Sequence, residues 1–529
     1  MVSFTCLSIF VICSLCSTAR GSFLDLHPQH IPYVLLNHPK LKEECKENAN
    51  CSTALKDNVC WGYEEGCEEE RRFGSKTEHC QTEFFKQNFW EGVDFGYIRE
   101  RIKEFEQLPI CKPKTNEDSL LQCSRYTRYC HGRNLYFNFR KLGVESSRDK
   151  YREDLFDPSD IGGSCDLDKD LLKQQSEHKS ALQSWYAELE NFSQLPFKPM
   201  KSRRCDVTIN GTVVFMKLDY GGNMFHHFCD FFNLYASQHV NGSWFGRDIQ
   251  IVMWDTSSSH YFDPFSLTWK VFSDNPVIPL VDWAGKKVCI HDVMFPLLPR
   301  MRRGLYYNTY VPAGCVGSNL FRAFSQHVLH RLNISQDGVQ EKKGAPLLRV
   351  TLLERGKPEN ENVYRKIRNQ KDLVKVLREF RDVKVKVVEY NWREMPFEKQ
   401  LSITQNSDIF IGMHGAGLAH FMFLPDWALA FELYNCGDAN CYNDLARLRG
   451  LNYMTWSNGP DNSEPKPSDQ HKHHKYGDNP KFWNWWFDPR RFRQLIREAR
   501  EKVLSHPAYV RAWKERFGDI QSEQSKTEL

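Results

Sequence analysis

Residues 408–433 read DIFIGMHGAGLAHFMFLPDWALAFEL, and the fold turns on how this stretch is taken. Ile409, Phe410 and Ile411 form a short continuous apolar run of the kind found in strands buried on both faces of a parallel sheet. The run gives way at His414-Gly415-Ala416-Gly417 to residues with almost no side chain apart from one histidine. A helix is expected over 417–423 and a further strand over 428–434, ALAFELY. In a parallel sheet, ligands collect at the carboxyl ends of strands, where loops lead into helix N-termini. Glycines there let a ligand approach the backbone, and the amides and positive end of the following helix attract phosphate. The glycine positions, 412, 415 and 417, do not match the dinucleotide fingerprint. A tight turn that needs small residues for packing is an equally good reading of this stretch alone.

The flanking segments keep the same rhythm. Strand LLRVTLLER (347–355), helix QKDLVKVLREF, strand VKVKVVEY (383–390) and a helix around PFEKQLSITQN lead into the quoted stretch, which makes 344–510 a doubly wound α/β block. An earlier block, 201–343, alternates likewise: strand TVVFMKL (212–218), helix GGNMFHHFCDFFNLYASQHV, strand DIQIVMW (248–254). EKKGAP (341–346) reads as the linker between them. Region 20–200 carries cysteines, clustered charges and short aromatic runs without period, and is expected to be disulfide-rich and mainly helical. PRRFRQLIREAREKVL is an amphipathic terminal helix with no assigned ligand, followed by the tail 511–529. The polar stretch with His471, His473 and His474 lacks paired carboxylates or cysteines at fixed spacing and reads as a solvated loop.

At 529 residues the chain is long for one core, and 41% hydrophobic with 14 Trp it has ample material for several. Lys plus Arg total 71 against 67 Asp plus Glu, and the net charge of +4 gives no reason to expect a nucleic-acid partner. An apolar run followed by small residues marks 1–19 as a cleavable secretory signal, and no stretch has the roughly 20 apolar residues of a membrane span. With Cys6, Cys13 and Cys16 in the signal, 15 of the 18 cysteines stay, many crowded between Cys45 and Cys205 as in disulfide-bonded secretory proteins. Cys229, inside an apolar helical pattern, is the candidate unpaired thiol, and Cys436 with Cys441 can close a short loop. Sequons at Asn50, Asn191, Asn210, Asn241 and Asn333 suit the same route. The C-terminal Lys526-Thr527-Glu528-Leu529 is similar to the tetrapeptide read by the endoplasmic reticulum retrieval receptor, so the expected location is the endoplasmic reticulum lumen.

A second cluster follows strand TVVFMKL, at Asp219-Tyr220-Gly221-Gly222-Asn223, with His226, His227 and Asp230 on the next helix. His226 and Asp230 are four apart and share a face, the arrangement of a general base oriented by a carboxylate. Satisfied core histidines among phenylalanines are the competing explanation. An esterase is disfavoured because no Gly-x-Ser-x-Gly elbow occurs, and a P-loop kinase because its phosphate loop is absent.

Asn223-x-x-His226-x-x-x-Asp230 and Ile411-Gly412-Met413-His414-Gly415-Ala416-Gly417-Leu418 resemble the two signatures of glycosyltransferase family 61. CWGYE (60–64), LLPRMRRGLYYNT (297–309) and LFRAFSQHVLHRLNIS (320–335) extend the resemblance, to endoplasmic reticulum members of that family, over nearly the whole mature chain. The resemblance implies a GT-B arrangement of two Rossmann-like domains, 201–343 on the acceptor side and 344–510 for the UDP-sugar. It implies β-linked transfer of N-acetylglucosamine from UDP-N-acetylglucosamine to Ser or Thr of folded EGF-like domains of extracellular proteins such as Notch. On these residues, His414, Gly415, Ala416 and Gly417 would hold the diphosphate, Arg355 and Arg365 would neutralise the leaving group, and Glu432 would bind the ribose. His226 would be the base, oriented by Asp230, with Asp219 its rival and Asn223 beside them. Relatives carry an Asp-x-Asp metal signature where this chain reads Ser273-Asp274-Asn275-Pro276. Asp274 alone is then left to hold a divalent cation (Mn²⁺ or Mg²⁺), and a helix N-terminus with arginines can take the metal's place. Two other functions fit a fold of this kind: a non-catalytic lumenal binding or chaperone protein, and a transferase for another sugar or acceptor.

Overall fold

The structure, a computed structural model, describes residues 25–46, 59–73, 80–143, 147–242, 245–257, 262–300, 311–356, 364–433, 441–456, 464–469 and 482–518. The expected signal (1–19), Asn50, Cys436 with the side chain of Cys441, His471, His473, His474 and the retrieval tetrapeptide 526–529 lie outside the described residues. Residues 25–46 belong to a separate unit with helices Ile31–Asn37 and Pro39–Lys46, and both large sheets belong to the unit Val59–Leu529. Among the described residues, no helix is long and apolar enough to cross a membrane.

The first sheet contains β1 (Pro109–Lys112), β2 (Leu120–Cys123), β3 (Cys130–Asn138), β4 (Ile161–Gly163), β5 (Asp166–Leu167), β6 (Ser193–Gln194), β7 (Val207–Met216), β8 (Ile249–Met253), β9 (Ile278–Pro279) and β10 (Lys287–Phe295). Their order is β5-β1-β2-β3-β10-β7-β8-β9, with β4 paired to β3 and to β6. β10, β7, β8 and β9 are parallel, whereas β3 joins β10 antiparallel. In the parallel half, β9-β8-β7-β10, the chain winds one way from β7 and then returns to its other side as β10. The carboxyl ends of β7 and β10 therefore flank a topological switch point, where doubly wound sheets open a crevice.

The second sheet contains β11 (Gln340–Lys342), β12 (Ala345–Glu354), β13 (Val383–Glu389), β14 (Ile409–Gly412), β15 (Leu429–Glu432) and β16 (Asn452–Thr455). Its parallel order is β13-β12-β14-β15-β16, and its switch point lies between β12 and β14. All four residues of β14 are buried, as the continuous apolar run requires. Leu373 and Leu377 from helix Gln370–Glu379, with Phe492, Leu495 and Ile496 from Pro489–Leu504, share one core with Val350, Leu352, Ile409, Ile411, Leu429 and Phe431. Full burial of such a side chain contributes about 1.5–3 kcal/mol relative to leaving it exposed. β13, at the sheet edge, turns Val383, Val385 and Val387 to this core and leaves Lys384 and Lys386 exposed, which discourages pairing with another chain.

Two expectations are corrected. EKKGAP is a hairpin, in which β11 pairs antiparallel with β12 around Lys343 and Gly344, both at positive φ (55° and 80°). A lysine-glycine pair in that conformation makes a tight turn that composition alone reads as a linker. Region 20–200 is not mainly helical after residue 108: it supplies β1–β6, which lengthen the first sheet past the expected boundary at 200. These strands are short and rich in cysteine and glycine, so they lack a clear alternating period. Disulfides Cys111–Cys165, Cys123–Cys130 and Cys205–Cys289 staple this sheet, with Cys60–Cys67 and Cys80–Cys315 beyond it. Cys229 is a free, buried thiol. Asn210 and Asn333 are exposed, whereas Asn191 and Asn241 are half-buried. The Asn191 amide donates to Phe156 O at 2.8 Å, and Asn241 Oδ1 accepts from Tyr129 OH at 2.9 Å.

Candidate active site

β7 delivers Asp219 to the first switch point, and the next helix, Met224–Val240, starts there. Asn223 is its N-cap, accepting from Phe225 N at 3.0 Å, so this candidate fixes the start of the helix rather than facing a reactant. His226, one turn in, places Nδ1 2.7 Å from Asp219 Oδ2, with the imidazole 26% and the carboxylate 2% exposed. From the end of β10, Arg300 Nη2 reaches Asp219 Oδ1 at 2.6 Å. Burial acts to raise the Asp219 pKa, but hydrogen bonds and charge from His226 and Arg300 outweigh it and hold the carboxyl below its usual range. His226 is thus a partly open imidazole, oriented by an ionised carboxylate.

Asp230 does not orient His226. It accepts the Asp219 amide at 3.3 Å and faces His227 Nδ1 at 3.1 Å, while Asp263 lies 2.7 Å from His227 Nε2 and accepts from Trp269 Nε1 at 2.9 Å. His226 and Asp230 share a helix face, but Asp219 comes closer because the strand end turns back over the first helical turn. Burial pushes the His227 pKa down, yet the hydrogen bonds and charges of Asp230 and Asp263 override it and raise it to about 9. The imidazolium therefore locks the helix to the segment carrying Asp263.

A folded-state pKa above the usual histidine value means that this stabilisation is complete below about pH 6.5 and is lost as pH rises through about 9. Thermal unfolding midpoints should accordingly fall across that window, by the equivalent of about 3 kcal/mol for the full shift. In His227→Gln the slope should flatten, and an unchanged slope would show that the pair is uncharged in the fold.

At the second switch point, Arg355 follows β12 and His414 follows β14. The His414 carbonyl accepts from Arg355 Nη1 at 3.4 Å and from Arg365 Nη1 at 3.1 Å, so two guanidinium groups converge on one backbone oxygen. Desolvation, then the neighbouring Arg365 charge, lowers the Arg355 pKa to about 10, still cationic at neutral pH. No carboxylate is paired with Arg355 among the described residues, which leaves this positive charge available to an anion. Gly415 explains the bare loop: its φ is +151°, and a Cβ there would lie 2.1 Å from Arg355 Nη1. Gly417 permits a similar approach, its Cβ position being 2.7 Å from Leu353 Cδ2. Gly415→Ala should strain the backbone by about 1–3 kcal/mol. Displacing the guanidinium should weaken binding of a diphosphate anion such as pyrophosphate about tenfold, measurable by calorimetry.

The lone histidine of the loop turns inward. His414 Nδ1 lies 2.7 Å from Glu432 Oε1, and Tyr453 OH donates to Glu432 Oε2 at 2.7 Å. With Glu432 1% exposed and both its oxygens engaged, the expected ribose contact is replaced by a supporting role that sets the His414 ring. Ala416 opens the 3₁₀ helix Ala416–Phe423, and the Leu418 amide donates to Gly415 O at 2.8 Å.

The two clusters are joined by aromatic rings. Tyr442 packs on His414 (centroids 5.2 Å apart) and on Phe225 (5.8 Å), and Phe225 packs on His226 (5.7 Å). A chain of packed rings therefore links an imidazole–carboxylate pair to a pair of arginines, the groups needed to remove a proton on one side and stabilise a departing anion on the other. Arg300, Tyr442, Tyr453, Asp263 and Trp269 were not identifiable from sequence, since each enters from a separate element with no fixed spacing to the motifs.

Asp274 does not fit a cation site. Its side chain is 64% exposed, with Arg247 Nε 3.2 Å away. Among the described residues the close grouping of potential metal ligands is Cys60, Glu64 and Cys67, in which the two cysteines are bonded to each other.

A family model described as Glycosyltransferase 61 matches residues 224–430, from the start of the His226 helix into β15, and so spans most of both clusters. The chain is 48% identical over 500 residues to the EGF domain-specific O-linked N-acetylglucosamine transferase of Rattus norvegicus, covering 92% of this chain and 91% of that one. The protein of the same name from Mus musculus is 47% identical over 500 residues, with the same coverage. That from Drosophila melanogaster is 42% identical over 503 residues, covering 93% and 92%. With this likeness covering more than nine-tenths of the chain and the family model reaching both switch points, the chain belongs to glycosyltransferase family 61.

Proposed function

We propose that the protein transfers N-acetylglucosamine from UDP-N-acetylglucosamine, in β linkage, to Ser or Thr hydroxyls of folded EGF-like domains, such as those of Notch. The observation that carries the chemistry is the junction of the His226–Asp219 pair with the Arg355–Arg365 pair through Phe225 and Tyr442. The acceptor and the sugar are taken from the names of the relatives.

In this reading the two sheets act as the halves of a GT-B enzyme, the first facing the acceptor and the second holding the nucleotide sugar. The acceptor oxygen attacks the anomeric carbon as the bond to the diphosphate oxygen breaks, and UDP leaves with the bonding electrons. The hydroxyl proton passes to His226 Nε2, while Asp219 accepts from Nδ1 and stabilises the resulting imidazolium. Arg355, Arg365 and the amides that open helix Ala416–Phe423 take up the charge on the diphosphate. Attack from the face opposite the leaving group inverts the anomeric centre. A divalent cation, if one takes part, would neutralise the same diphosphate, and no step here depends on it. The apolar N-terminal stretch and the Lys-Thr-Glu-Leu tetrapeptide support a site of action in the endoplasmic reticulum lumen, where EGF-like domains acquire their disulfides.

The test is transfer of label from UDP-N-acetylglucosamine to a disulfide-bonded EGF-like domain and to the same domain reduced and alkylated, with and without EDTA. Label on the folded domain alone supports the reading, and the EDTA arm reports whether a cation contributes. Binding of the folded domain with no transfer would make the chain a lumenal binding protein instead.

A further inference from the structure

Beside the His226 cluster, at the carboxyl ends of β7 and β8, lies a cavity of about 340 Å³. Three rings that line it, Tyr220, Phe262 and Trp392, are 58%, 55% and 44% exposed. Exposed aromatics gathered in one concavity carry a solvation cost that isolated ones do not, and such patches mark interaction sites. Phe262 and Trp392 pack edge to face with centroids 5.1 Å apart, joining the first sheet's loops to the segment after β13.

The cavity is built rigidly. Tyr151 OH donates to Leu218 O at 2.6 Å, and Thr256 N donates to Lys150 O at 2.9 Å, pinning one wall to the strand ends. Phe262 precedes Asp263, which His227 and Trp269 hold, so its lip is fixed to the helix that carries His226. Tyr220, Gly221 and Gly222 follow Asp219 directly in the chain and line the cavity. Anything seated here is therefore continuous with the reacting surface.

We propose that this cavity binds a large apolar side chain, aromatic or aliphatic, of the acceptor polypeptide next to the hydroxyl that receives the sugar. The inference rests on the transferase reading above. Charge decides between the two substrates: the cavity has no arginine, and its two charged linings, Lys150 and Asp255, are of opposite sign. An anionic nucleotide meets no net positive charge there, whereas a neutral apolar group gains three ring faces. Arg355 and Arg365 already supply the anion site on the other sheet.

Steady-state transfer to a folded EGF-like domain tests this, using the full chain and its Trp392→Ala, Phe262→Ala and Trp392→Phe variants. The alanine variants should raise the acceptor KM about tenfold or more. The donor KM should move by less than about twofold, and Trp392→Phe should keep most of the acceptor affinity. Replacing the apolar residue that flanks the acceptor hydroxyl by serine should weaken the wild-type enzyme but add little to Trp392→Ala, because both changes remove the same contact. Since the rings are exposed, equal unfolding midpoints should verify that the variants fold. A rise in donor KM with the acceptor KM unchanged would assign the cavity to the donor sugar and overturn the proposal. So would unchanged KM values for both substrates. Absence of any transfer by the wild-type chain would instead overturn the transferase reading itself.

Discussion

His226→Ala should lower transfer to a folded EGF-like domain by about 10²–10⁴-fold, the range lost with a positioned general base. UDP binding should be retained, because the proposed reaction assigns the nucleotide to the second sheet. The attacking hydroxyl is a weak nucleophile at neutral pH, so its proton must leave during attack, and His226 is the partly exposed imidazole at the first switch point. Asp219→Asn separates positioning from proton removal. It keeps the shape but removes the negative charge that faces both His226 Nδ1 and Arg300, at 2.7 and 2.6 Å. The variant should therefore lose kcat with little change in acceptor KM. Asp230→Asn should instead act through stability, since Asp230 contacts His227 rather than His226. Equal kinetic losses at Asp219 and Asp230 would revive the pairing that their sequence spacing suggests.

Arg355→Ala should lower kcat by about 10²–10³-fold, as expected when a preorganised group that meets developing negative charge is removed. Arg355 is half-buried and lies against the bare backbone at Gly415, so water cannot easily take its place. Lysine should not restore the rate, because a single ammonium cannot bond both the His414 carbonyl and a diphosphate oxygen in the planar geometry of a guanidinium. Arg365→Ala should cost less where Arg355 is intact. Measured together, the two losses should not add, since both arginines converge on one carbonyl. Full activity in Arg355→Ala would move the leaving-group site elsewhere.

The second sheet was legible because β14 and β15 are continuous apolar runs, β13 alternates apolar and charged residues, and its helices keep a 3.6-residue period, so the positions of β12 to β15 followed from patterning alone. The first sheet was half legible. β7 and β8 carry that signal, but β1–β6 are short strands whose pairing partners lie far along the chain, as with β3 against β10, where Cys130 faces Phe295. Local composition cannot report such contacts. The site divides in the same way. The His414 loop and His226 were evident because glycines and histidines sit at strand ends. Their partners were not: Asp219 rather than Asp230 meets His226, and Glu432 supports His414, because both outcomes depend on how neighbouring elements turn back in space. Asp274 shows the converse, a residue chosen by motif whose surroundings supply an arginine and, among the described residues, no grouping of metal ligands.

Direct displacement assisted by one base and two arginines has a stereochemical signature, and the anomeric configuration of the product reads it most directly. Nuclear magnetic resonance of the sugar attached to a Ser or Thr of a folded EGF-like domain, after incubation with the chain and UDP-N-acetylglucosamine, should show a β-linked N-acetylglucosamine. An α-linked sugar, or free N-acetylglucosamine beside an unmodified domain, would contradict it.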